Sequence, residues 1–237
     1  MKKNSSLKIT NIFYLLIFFT PFLFSLEFIP CDDPRLNEVS QSLTKKEILS
    51  EDTQSLINEM LILSGHQANT NHTGKKSVLV GLAAPQVGVL KQIIIIDTRS
   101  IESLREKTSK PTFDVLINPV ITYQSDEVQC SYEGCFSVPE KYFGTPKRAA
   151  SVKVKASDRN GNIYIKTYEK FTAVVVQHEI DHLNGIRFPE KIQSENELHI
   201  VENNTELADY QKNWKNWEKH ASLDEWSEMK NKNYKPI

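Results

Sequence analysis

The chain has 237 residues, enough for one domain with a full core plus extensions. Lys and Arg total 29 against 30 Asp and Glu, a formal charge of -1 that points away from nucleic acid and other polyanionic partners. Three cysteines, Cys31, Cys130 and Cys135, are too few and odd in number for a disulfide framework.

Residues 1–26 stand apart from everything after them. Lys2, Lys3 and Lys8 precede an apolar run over 12–24, the arrangement of a targeting segment. The run is short for a membrane-spanning helix and contains Pro21. We expect a targeting or anchoring segment, acting by membrane association through residues 12–24 or by export. The alternative is a mis-set translation start.

A catalytic-sized domain is expected over 27–192. Asp32-Asp-Pro-Arg-Leu36 reads as an extended or turn entry. Thr44 or Ser50 can cap a helix whose apolar positions, from Ile48 to Leu63, repeat at helical spacing. The polar stretch 65–76 reads as a loop carrying His66 and His72 as solvated residues rather than ligands. Gly81-Leu-Ala-Ala-Pro-Gln-Val-Gly88 is tight and rich in small residues, and leads into a buried strand over 92–97. Residues 99–112 read as a loop, and 115–120 as a strand stopped or bent at Pro119. Val152–Ala156 and Ile163–Lys166 alternate around Asn160-Gly161, which predicts an antiparallel hairpin feeding the next helix. From 193 to 237 the chain is polar. Tyr210, Trp214, Trp217, Leu223 and Trp226 predict one or two amphipathic helices packed on the domain.

The helix after the hairpin carries His178-Glu-Ile-Asp-His182. Residues four apart share a helix face, so both imidazoles can reach one metal ion. Glu179 lies about 100° around the helix. Its carboxylate therefore falls beside the metal, where it can handle the proton of a bound water. The apolar run Ala173–Val176 buries the helix entry, and Gly185 suits its C-terminus. Two histidines and two carboxylates on a buried helix need partners or a metal. A catalytic site commonly takes three protein ligands, and Cys135 in Glu133-Gly-Cys-Phe-Ser137 is the best further donor. On its own, Cys135 also reads as a small buried hydrophobe.

Three motifs in order, Gly81-Leu-Ala-Ala-Pro-Gln86, Glu133-Gly-Cys-Phe-Ser137 and Gln177-His-Glu-Ile-Asp-His182, resemble the signature motifs of peptide deformylases. The likeness runs from Asp33 to Lys191. It implies an α+β fold, with antiparallel sheets around a central metal-binding helix, here followed by a C-terminal helical tail. It implies removal of the formyl group from N-formylmethionyl peptides, the starts of nascent chains near the ribosome. Such a substrate places the enzyme on the cytoplasmic side, possible export of residues 1–26 notwithstanding. The cofactor would be one divalent ion, Fe²⁺ first, with Zn²⁺, Ni²⁺ or Co²⁺ able to replace it. Cys135, His178 and His182 would be the ligands and Glu179 the acid and base. The Gln86 side-chain amide and the Phe136 N–H would face the oxygen that gains charge. The backbone around Gly81 and Glu133 would pair with the substrate as an added strand. Asp181 and Arg148 would pair behind the ligands and orient the helix. With Cys135 so employed, a Cys130–Cys135 bridge is disfavoured.

The chain departs from the family pattern at three places. Leu79 stands where a glycine is usual, Phe136 where leucine is usual, and the 65–77 loop is longer than the commonest form. Two other functions fit part of the pattern: a zinc peptidase, which the cysteine ligand and the first motif disfavour, and a metal- or peptide-binding protein without turnover.

Overall fold

The computed structural model describes residues 26–66, 79–100, 103–104, 110–232 and 234. The apolar run 12–24, His72 and most of the 65–77 loop lie outside these residues. Among the described residues, no helix is long and apolar enough to cross a membrane.

Thr44 opens the first helical region with a reciprocal cap. Its hydroxyl accepts from the Glu47 N–H, while the Glu47 carboxylate accepts from the Thr44 N–H. Two helices form rather than one, α1 (Lys45–Ile48) and α2 (Glu51–His66). Ser50 lies between them and uses its hydroxyl on both sides, donating to Glu47 O and accepting from the Thr53 N–H. Ile48, Ile57 and Met60 point inward and are buried.

Five strands make the main sheet, in the order β1 (Gly81–Ala83), β2 (Ile93–Asp97), β3 (Phe113–Gln124), β7 (Ser151–Ser157) and β8 (Ile163–Glu169), all antiparallel. The four isoleucines of β2 are fully buried because the strand lies between two layers. Ile94 and Ile96 join the core under the ligand helix, and Ile93 and Ile95 join the core under α2. Pro119 bends β3 without ending it. Asn118 takes a left-handed φ of 52°, and the register with β7 shifts between Ile117 and Val120. The Asn118 side chain holds the bulge by accepting from the Leu43 N–H and donating to Leu43 O. The β7–β8 hairpin turns at Gly161, whose φ is 74°.

That hairpin feeds directly into α3 (Lys170–Leu183). Ala173, Val176, Ile180 and Leu183 of α3 pack on the inner face of the sheet with Val152, Val154 and Ala156. The helix ends at Gly185, whose φ is 66°. A side chain there would strike the backbone of Asn37 and Glu38.

Two short ladders complete the fold, β4 (Val128–Gln129) with β6 (Arg148–Ala149), and β5 (Tyr142–Gly144) with β9 (Leu198–Ile200). A short helix α4 (Phe188–Lys191) precedes the tail, which holds β9, α5 (Asn204–Asn213) and α6 (Leu223–Lys230). Residues on both sides of the 192/193 division drawn on composition pack together. Phe188 and Ile192 share one core with Leu198, Ala221 and Met229 of the tail and with Val138 and Tyr142. Leu79 also packs inward, 6% exposed among Leu43, Met60 and Leu82, rather than into open space.

Candidate metal centre

Helix α3 puts His178 and His182 one turn apart on its buried face, with their Nε2 atoms 3.2 Å from each other. Cys135, from the segment between β4 and β5, brings its Sγ to 3.2 Å from His182 Nε2. The three ligand atoms all lie within 4.8 Å of one another. Bonds of about 2.0–2.3 Å in a tetrahedral site would space such atoms about 3.3–3.6 Å apart, so this donor set fits one small divalent ion.

The carboxylate of Glu133 orients the first ligand. It accepts two hydrogen bonds from Arg148, Nε at 2.8 Å and Nη2 at 2.9 Å, and one from His178 Nδ1 at 2.7 Å. Burial alone would raise the Glu133 carboxyl. The charge and hydrogen bonds of Arg148, then those of His178, overcome it and hold the group at about 2. An ionised carboxylate only accepts, so His178 Nδ1 must donate and Nε2 is left to face the centre. Arg148 also pairs with Asp181, one residue before His182. The expected pair of Arg148 with Asp181 is therefore half of a larger unit. The role of the Glu133 side chain was missed because its partner Arg148 lies in another strand.

The two imidazoles differ electrically. Burial would lower the His178 imidazole, but hydrogen bonds and charge from Cys135 and Glu133 raise it well above its ordinary value. Burial and the neighbouring His178 push His182 well below. The pocket thus offers a site for one positive charge between these groups, which a proton or a metal ion can fill.

Glu179 points off the ligand face and lies against β1. Burial raises its carboxyl to about 7, with smaller effects from the charges of His178, Glu133 and Arg148. Its Oε2 is buried and has no hydrogen-bond partner among the described residues. Gly81 makes the room: a Cβ there would lie 2.8 Å from both Cγ and Cδ of Glu179.

Gln86 sits in the 3-10 turn Ala84–Val87 that follows β1. Its Oε1 accepts from the Ala83 N–H at 2.8 Å, which turns Nε2 toward Cys135 Sγ, 3.7 Å away. Phe136 follows Cys135, and its ring stacks on Phe28 with centroids 4.5 Å apart. Nothing in the pattern around Phe28 signals that contact. β1 is an edge strand of the main sheet, so Gly81 lies where a further strand can add. The main chain of Glu133 is engaged differently from expectation. Its N–H donates to Gly144 O and its carbonyl accepts from the Gly144 N–H, so both groups are already paired.

A family model of polypeptide deformylase matches residues 25–198. The peptide deformylase of Brachyspira hyodysenteriae is 37% identical over 180 residues, covering 73% of this chain and 87% of that protein. The peptide deformylase of Zymomonas mobilis is 37% identical over 156 residues, 66% of this chain and 79% of its own length. Among solved structures, a Met-Ala-Ser-bound class I type b peptide deformylase from Acinetobacter baumannii aligns with a TM-score of 0.60 and 31% identity, covering 70% of this chain and 98% of that one. The peptide deformylase of Thermotoga maritima aligns with a TM-score of 0.58 and 28% identity, over 71% and 97%. With the motifs in place on an α+β fold, the chain belongs to the peptide deformylase family, metal-dependent hydrolases that remove the N-formyl group from nascent polypeptides.

Proposed function

We propose that this chain hydrolyses the formyl amide of N-formylmethionyl ends rather than internal peptide bonds, with Cys135, His178 and His182 as the ligands of one divalent ion. The observation that carries the assignment is the meeting of these three donor atoms beside the partnerless carboxylate oxygen of Glu179. Fe²⁺ is the ion we assign for the cell, and the thiolate and imidazole donors also suit Zn²⁺, Ni²⁺ or Co²⁺. When bound, such an ion lowers the pKa of a coordinated water and polarises the formyl oxygen.

Glu179 takes the proton of the attacking water and returns it to the departing amine nitrogen. A carboxyl held near 7 can do both at neutral pH. The Gln86 amide and the Phe136 N–H donate to the oxygen as it gains negative charge. Gln86 is prepared for this, because Ala83 already fixes its carbonyl end. The peptide adds to the edge of β1 at Gly81. Glu133 contributes its carboxylate to His178. Arg148 and Asp181 hold the ligand helix from behind.

The substrate is made at the ribosome, so we place catalysis on the cytoplasmic side, with residues 12–24 as the segment that brings the enzyme to a membrane surface. Residues 27–192 carry the chemistry and 193–237 the supporting tail. The test is metal stoichiometry with formate release on purified protein. Cys135→Ala is expected to lose both, and Cys130→Ala to keep both. Full metal content in Cys135→Ala would overturn the ligand set.

A further inference from the structure

Arg187 leaves the ligand helix just after Gly185 and is 1% exposed. Its guanidinium donates to three neutral acceptors. Nη1 reaches the carbonyls of Cys31 at 2.7 Å and Ser137 at 3.0 Å, and Nη2 reaches Asn37 Oδ1 at 2.5 Å. A buried cation on neutral acceptors needs further stabilisation, and the Glu190 carboxylate, which accepts from the Arg187 backbone N–H at 3.0 Å, supplies part of it. The ring of Tyr234, from the end of the tail, lies on the guanidinium face with Cζ 3.3 Å from the ring centroid. Lys232 fixes this end of the tail by donating to Gly185 O at 2.8 Å.

The acceptors matter because of where they stand. The N–H of Ser137 donates to Cys135 Sγ at 3.3 Å, while its carbonyl is held by Arg187. The Cys31 carbonyl belongs to the segment that carries Phe28, whose ring stacks on Phe136. One guanidinium therefore joins the two segments on either side of that stack, and it grips the residue whose amide rests on the thiolate.

We propose that Arg187 and Tyr234 are positioning residues for the metal centre: Tyr234 holds the Arg187 guanidinium, and Arg187 holds Ser137 so that its amide stays on Cys135 Sγ. This rests on the assignment of Cys135 as a metal ligand. The tail then does more than cover the domain. It sets how much charge the sulfur donates, since an N–H bonded to a thiolate draws charge away from it. Among the described residues the Tyr234 hydroxyl has no hydrogen-bond partner, so the ring face carries the effect.

The test uses full-length protein loaded with Co²⁺, whose sulfur-to-metal charge-transfer absorption reports the thiolate directly. Tyr234→Leu and Arg187→Lys are expected to bind one Co²⁺ per chain with that band moved to longer wavelength. Their kcat should fall about 10-fold with KM changed less than about twofold, as expected for a small misplacement of reacting groups. Tyr234→Phe keeps the ring and should match wild type in both. Tyr234→Leu keeps an apolar side chain in the core that Tyr234 shares with Phe188 and Met229, so it remains informative if Arg187→Lys does not fold. An unmoved band and unchanged kcat in Tyr234→Leu would overturn the brace while leaving the site intact. A wild-type protein that binds Co²⁺ with no such band would instead overturn Cys135 as ligand, and the brace with it.

Discussion

Gly81 and Glu179 share one space. The backbone of β1 approaches the ligand helix so closely that any side chain at 81 would overlap the Glu179 carboxylate. The first and third motifs are thus tied by packing as well as by chemistry. Gly81→Ala should push the carboxylate aside without touching a ligand atom. We expect kcat to fall about 10- to 100-fold, as for other small displacements of a reacting group, with metal content unchanged. Steady-state kinetics paired with metal analysis checks this, and unaltered kcat would show that Glu179 is not confined as described.

Arg148 stands between two carboxylates, Glu133 and Asp181, and is 4% exposed. Removing it leaves Glu133 to His178 and Asp181 to the more distant Lys191, 3.8 Å away. Arg148→Met should lower unfolding free energy by about 3–5 kcal/mol, the usual cost of breaking a buried ion pair from one side. Metal affinity should fall about 10- to 100-fold, because Glu133 would no longer be held on His178. Denaturant unfolding and competitive metal titration measure the two effects separately.

Glu179 makes the metal-free protein sensitive to pH. Its carboxyl is raised to about 7 in the fold, against about 4.3 when unfolded. Between these values the folded state holds the extra proton, so stability falls as pH rises. For a fully buried group the loss is on the order of 3 kcal/mol by pH 8. Glu179→Gln should remove this slope. Equal slopes for the two metal-free proteins would contradict the burial assigned to the carboxylate.

The tail carries a sensitivity of opposite sign. His199 is buried at the β5–β9 ladder, with Nδ1 2.9 Å from the Tyr210 hydroxyl. Burial, then the neighbouring His220, pushes its imidazole down to about 4. Unfolded, it would titrate near 6.5, so the stability it allows is complete above about pH 6.5 and is lost as pH falls toward 4. Fluorescence of Trp214 and Trp217 should report loosening of the tail across that window, and His199→Gln should flatten the response.

The ligand pair was legible because helical spacing alone brings His178 and His182 together. The hairpin was legible from Asn160-Gly161 and the strict alternation of Val152, Val154 and Ala156 with lysines. Contacts between distant segments were not. The Glu133 carboxylate, the Phe28–Phe136 stack and the seat of Arg187 depend on which strands the fold brings side by side, and no local pattern encodes that. The tail read as helices only, because a three-residue strand such as Leu198–Ile200 is too short to show a period. Leu79 stands where a glycine is usual, and no local pattern shows which way its side chain turns. It turns into the core because its neighbours Leu43 and Met60 leave an apolar space there.

The central claim is that Glu179 moves the proton and does not hold the metal. Glu179→Gln keeps the shape and hydrogen-bonding reach but cannot carry a proton. The direct measurement is metal stoichiometry and kcat for formate release from a formyl-Met peptide, on wild type and Glu179→Gln together. We predict full metal in both and a kcat lower by about 10² to 10⁴ in the variant, the span typical of general acid–base catalysis. A variant with full metal and near-normal kcat would contradict the account, since some other group would then be moving the proton.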